Sequence, residues 1–145
     1  MKKITILYFV LILSAISISC FKDKQTLINT TWRVESMQVH ADSVLTYPPI
    51  WKGWWGHNRP ITLSFPKQNK YILQLEANGC GGNVSIIGNK ISFKSGGGMT
   101  AMCCDSPFAE SCASLLINNI NRYTISDTKL VLTGAHGEII NLVEQ

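Results

Sequence analysis

The chain has 145 residues and a formal charge of +4, enough to bury one modest core but not two. Lys2 and Lys3 supply two of the four charges, and no Lys/Arg stripe occurs elsewhere, which excludes nucleic acid as an expected partner. Five cysteines in so short a chain make compartment the first question.

Lys2 and Lys3 precede an apolar run, Ile4 to Ile18, too short to span a bilayer comfortably and right for a signal peptide. The run ends in Ser17-Ile18-Ser19-Cys20. A cysteine after a small residue at this place resembles the bacterial lipobox, whose cysteine takes a diacylglyceryl group. Residues 1–19 are therefore expected to be a signal peptide and 20–26 a tether lipidated on Cys20, with the domain at 27–145. Ordinary secretion and an uncleaved anchor are the alternatives. The expected location is the cell envelope, lipid-anchored to a bacterial membrane on its periplasmic or outer surface. Outside the cytoplasm, Cys80, Cys103, Cys104 and Cys112 are expected to pair, and four cysteines allow three connectivities.

The domain opens near Leu27. Trp32, Val34, Ser36 and Gln38 alternate with Arg33, Glu35, Met37 and Val39, which predicts a strand with Trp32 as its core anchor. His40 to Pro60 reads as one long loop, since three prolines and two glycines oppose a helix or a central strand. Tyr47, Trp51, Trp54, Trp55, His57 and Arg59 lie in it. They are a candidate platform for a glycan or an envelope protein; the competing reading is that the aromatics fold back as a lid on the core.

Short strands at close spacing follow, the pattern of a small antiparallel β domain. Ile61 to Phe65 and Tyr71 to Leu75 flank a turn at Pro66-Lys67-Gln68-Asn69. Asn78 to Asn83 reads as a glycine-rich turn around Cys80. Val84 to Ile87 and Ile91 to Phe93 form a hairpin over Gly88-Asn89-Lys90. Gly96 to Gly98 reads as a loop leading to Cys103 and Cys104.

A helix is predicted next, with Asp105 or Ser106 as N-cap, Pro107 at its first position and Glu110 in its first turn. Phe108, Cys112, Leu115 and Leu116 share one face, and the helix ends near Asn118-Asn119. Arg122 to Ile125, Lys129 to Leu132 and Ile139 to Val143 are the last three strands. The fold class is therefore mainly β, α+β at the margin: a small antiparallel, barrel-like sheet with one helix.

Several segments together resemble one family. Thr31-Trp32, Ile61 to Phe65, Gly79-Cys80, Gly88 to Phe93, Thr100-Ala101-Met102-Cys103-Cys104 before Phe108-Ala109-Glu110, Tyr123-Thr124-Ile125, Leu130-Val131-Leu132 and Gly137 are similar in order and spacing to the META/HslJ-like domain of exported bacterial proteins. The resemblance implies a compact β domain, a small barrel with one helix across an end, often tethered as a lipoprotein and without an established catalytic activity. It also implies that Cys80 and Cys104 take the family's two cysteine positions, leaving Cys103 for Cys112. The exchange of Cys103 and Cys104 stays open.

A thiol enzyme would use Cys104, just before the helix, with His57 or His136 as base; pairing of the four cysteines would leave no thiol for it. Adjacent Cys103 and Cys104 lack the spacing of a zinc site. The expectation is a protein without catalytic residues, metal or cofactor. It would act by binding in envelope maintenance or stress tolerance, or alternatively as a glycan- or protein-binding or inhibitory module through the tryptophan loop.

Overall fold

The computed structural model describes residues 26–40, 43–46, 59–100 and 105–145. Among these residues nine strands and one helix follow in order: β1 (Thr30–His40), β2 (Ser43–Thr46), β3 (Thr62–Lys67), β4 (Lys70–Gln74), β5 (Gly79–Ile87), β6 (Lys90–Met99), α1 (Pro107–Asn118), β7 (Ile120–Ser126), β8 (Lys129–Gly134) and β9 (Ile139–Glu144). Every pairing is antiparallel. Strands β1 and β3 to β9 pair in sequence order, and β9 returns to β1, closing an eight-stranded up-and-down barrel. Closure leaves these strands without a free edge. Only β2 stands outside it, as a flange on the far half of β1.

Helix α1 packs against β6 and β7. Those two strands share a single register pair, Lys90↔Arg122, so they part beyond it. Ala109, Cys112, Ala113, Leu115 and Leu116 are buried on α1. Every core side chain among the described residues falls between Leu27 and Leu142, with Trp32, Tyr71, Phe65 and Met37 the largest of those fully buried.

Three expectations are corrected. Met37, expected opposite Trp32 and Val34, is buried with them. The pairing of β1 with β9 shifts between Val34 and Ser36, and the extra residue of that bulge turns the face of everything after it. The predicted loop of 40–60 contains β2, whose Val44 and Leu45 are exposed; pairing with an overlong β1 makes a strand where burial does not. The glycine segments at 79–82 and 96–98 are strand, in β5 and β6. There the register shifts between Cys80 and Gly82, and a Cβ on Gly96 would stand 2.8 Å from Gly81 O. Glycine is needed here for close backbone approach, whereas the hairpin turn at Gly88 uses its positive φ of 62°.

Alternation of strands sorts the connections into two groups. The turns joining β3 to β4, β5 to β6 and β7 to β8 lie at one end with both ends of the barrel chain. The connections after β1, β4, β6 and β8 lie at the other, the helix end.

Candidate functional site

Both ends hold chemistry-bearing residues. At the helix end Ser106 caps α1, its Oγ accepting from Ala109 N at 3.1 Å. A capping box would place Glu or Gln at the third helical position to take the cap residue's own N–H. That position is Ala109, and Glu76 does the work from the β4–β5 turn. Its Oε2 accepts from Ser106 N at 2.6 Å and its Oε1 from Ser106 Oγ at 2.9 Å. Asp105 reaches the other way: Oδ1 accepts from Ala77 N at 2.8 Å and Asn78 N at 3.3 Å, and Oδ2 accepts from Asn78 Nδ2 at 2.6 Å. Glu76, Asn78 and Ser106 are buried. Buried polar groups need such partners, and these carboxylates serve as acceptors that lock the helix start to the turn.

Cys80 and Cys112 flank this lock. Cys80 is half-buried in register between Leu73 and Met99, and Cys112 is buried on α1; both are thiols here. Burial, and then the charge of Cys80, pushes the Cys112 thiol up to about 12. Burial, and then Asp105, raises Cys80 as well. Both shifts run opposite to the lowered pKa that activates a cysteine nucleophile. Tyr71, edge-on to Phe93 at 5.1 Å, is buried with its hydroxyl unbonded. Burial, and then Cys80, raises its pKa too.

The expected partners Cys103 and Cys104 lie outside the described residues, but both flanks of their segment are fixed. Thr100 N donates to Gly79 O at 3.2 Å and its Oγ1 accepts from Gly79 N at 3.0 Å, while Asp105 holds Ala77 and Asn78. The two flanks, Thr100 and Asp105, are thus held to residues 77–79, next to Cys80 in the chain. Cys20, Tyr47, Trp51, Trp54, Trp55 and His57 also lie outside the described residues. Arg59 is exposed ahead of β3.

The sequence did not mark Glu76, Asn78 or Glu138 as structural groups. Glu138 Oε1 accepts from Asn119 Nδ2 at 2.7 Å and Oε2 from His136 N at 2.8 Å. Its own backbone N–H, then that of His136, holds its carboxyl below the usual range.

At the opposite end a cavity of about 290 Å³ opens between the strap Thr26–Ile28 and the barrel mouth. Leu27, Phe65, Val84 and Ile86 give it apolar walls, and Lys67 and Tyr123 stand among its polar groups. The strap is held by Trp32 Nε1, which donates to Thr30 Oγ1 at 2.6 Å, and by Thr30 Oγ1, which donates to Leu27 O at 2.5 Å. Asn29 N donates to Phe65 O at 2.8 Å. The size suits a small ligand, and apolar walls with a few polar groups are the usual make-up of such sites. A second concavity, about 450 Å³, lies along Lys67, Lys70, Ile72 and the glycines 81, 82, 96 and 98; it is shallower and more open than the first. The mouth cavity is the better candidate.

Comparison with known proteins adds fold and family. The META domain model matches residues 25–145. A protein from Burkholderia xenovorans, solved by NMR, is similar with a TM-score of 0.60 at 17% identity, over 82% of this chain and 83% of that one. A second NMR structure gives 0.52 at 14% identity, over 79% and 89%. At such identities the likeness is one of fold. No curated protein matches the sequence significantly.

Proposed function

The chain belongs to the META domain family, and on that premise we propose a non-enzymatic lipoprotein of the cell envelope that works by binding, in envelope maintenance or stress tolerance. A diacylglyceryl group on Cys20 tethers it to the membrane. The mouth cavity is the binding site, and its make-up carries this reading: walls of Leu27, Phe65, Val84 and Ile86 for an apolar body, Lys67 and Tyr123 for a polar or acidic head. The ligand class is thus a small amphiphile. Disulfides complete the proposal. Cys80 with Cys104, and Cys103 with Cys112, suits the way Thr100 and Asp105 return the chain beside Cys80.

Intact mass and non-reducing peptide mapping of the protein isolated from membranes test the anchor and bridges. A lipid adduct on Cys20 and four paired cysteines are expected; an unmodified Cys20 or four free thiols would sink that part. For the cavity, an environment-sensitive apolar anion such as anilinonaphthalene sulfonate should bind with enhanced emission, and Val84→Trp should abolish the enhancement in a folded protein. Equal emission from both proteins would overturn the assignment.

A further inference from the structure

We propose that the barrel end bearing the three short turns is itself a docking face for an anionic phospholipid bilayer. The topology brings together residues that are far apart in sequence. Lys67 and Lys70 flank the β3–β4 turn, Lys90 follows the β5–β6 turn and Lys129 follows the β7–β8 turn, all exposed. Asp127 is the one acid within those turns, and Glu144, exposed at the end of β9 with its N donating to Thr128 O, is a second acid at this end. The described connections of the helix end have the opposite balance, with Glu76, Asp105, Glu110 and Glu138 against the exposed Arg59. The barrel is therefore electrically polar along its axis, although the whole chain is only weakly basic.

Apolar side chains project at the same end. Ile87, at the tip of the β5–β6 hairpin beside Gly88 and Lys90, is 75% exposed, and Ile28 in the strap is 41% exposed. An isolated exposed isoleucine needs no explanation. Two among four lysines at one end match what an interfacial surface requires, apolar contact with the acyl boundary and cations for the phosphates.

The occupant follows from charge and from the remaining chain. Residues 1–25 join the barrel at Thr26, on this end, and their sequence carries the apolar run Ile4 to Ile18 and then Cys20. Only five residues separate Cys20 from Thr26, a reach of about 20 Å over the six steps when extended. Whatever holds that segment to a bilayer also brings the lysine end to it, and the acidic end faces away. The docking face goes beyond the lipid tether proposed above and acts without it.

Residues 26–145 hold every described core side chain, so they form the test protein, and the outcome is independent of lipid on Cys20. Co-sedimentation is measured with vesicles of phosphatidylglycerol mixed with phosphatidylcholine, and of phosphatidylcholine alone, at about 50 and about 300 mM salt. The protein should bind the anionic vesicles at low salt, bind them less at high salt, and ignore the neutral ones. Each lysine removed should weaken binding about fivefold, so a Lys67→Glu, Lys90→Glu, Lys129→Glu triple variant should lose about a hundredfold or more. Ile87→Asp should lose about tenfold. Circular dichroism and thermal melting verify folding of each variant, whose altered side chains are all exposed. Failure of the parent protein to bind anionic vesicles at low salt would overturn the proposal, as would undiminished binding by the triple variant. Equal affinity for a soluble anionic polysaccharide would also overturn it, making a polymer the occupant.

Discussion

The two ends of the barrel differ in how they use polar residues. At the helix end the carboxylates of Glu76, Asp105 and Glu138 are committed to backbone and side-chain donors, the first two locking the helix start and the third its C-cap. At the turn end the lysines stand in solvent and the apolar walls of the mouth surround open space. One end has spent its polar groups on folding; at the other Lys70 Nζ donates to Asn83 Oδ1 at 2.7 Å, and the ammonium groups of the four lysines lie at the surface, where they can meet something else. Stability should therefore be concentrated at the helix end and binding at the turn end.

The largest expected effect is at the seam of α1. Leu116→Ala removes a fully buried side chain and should cost about 3 kcal/mol, read as a lower urea midpoint at unchanged slope. A cost under about 1 kcal/mol would mean that α1 is an ornament on the barrel and would break the contrast. Next comes Glu76→Gln, which keeps shape but turns one acceptor into a donor facing Ser106. One buried donor is then unpaired, at about 2 kcal/mol. Urea unfolding checks it.

A pH experiment sharpens the same contrast. The Cys112 thiol has an ordinary value of 9.0 and a folded value of about 12. The unfolded chain thus loses this proton first, and stability present below pH 9 falls as the pH rises toward 12. The slope for this group is at most about 1.4 kcal/mol per pH unit. Reduced protein should show this alkaline loss in thermal melts, and Cys112→Ala should lack it. Protein with Cys112 in a disulfide should lack it as well, so the slope also reports the redox state.

Smaller effects complete the series. Tyr71→Phe deletes a buried hydroxyl without a partner and should leave stability unchanged or raise it by up to about 1 kcal/mol. A clear destabilisation in the melting curve would show that the hydroxyl has a partner in solution. Lys90→Glu at the turn end should change stability by less than about 0.5 kcal/mol, while its effect on anionic vesicles is large.

Much of this architecture was legible in the residues. Alternation gave β3, β4 and β7 to β9, Gly88-Asn89 placed a hairpin, and Pro107 after Asp105 or Ser106 marked the start of α1, the structure choosing Ser106 as the cap. The strongest site signal, the tryptophan loop, falls outside the described residues, and the mouth cavity had none. Its lining comes from the strap, β3, β5 and β7, and no short motif encodes such a gathering.

By itself the sequence determined what is local: strand period, turn chemistry, helix caps and the resemblance to the META domain, because these depend on neighbours within a few residues. Tertiary structure decided the rest. It brought Glu76 across thirty positions to cap Ser106, turned Met37 inward through a bulge, drew the glycines of β5 and β6 into a close-packed strand pair and gathered four lysines at one end. Each of those outcomes depends on strand register. Register is fixed only when the barrel closes and every backbone donor must find its partner.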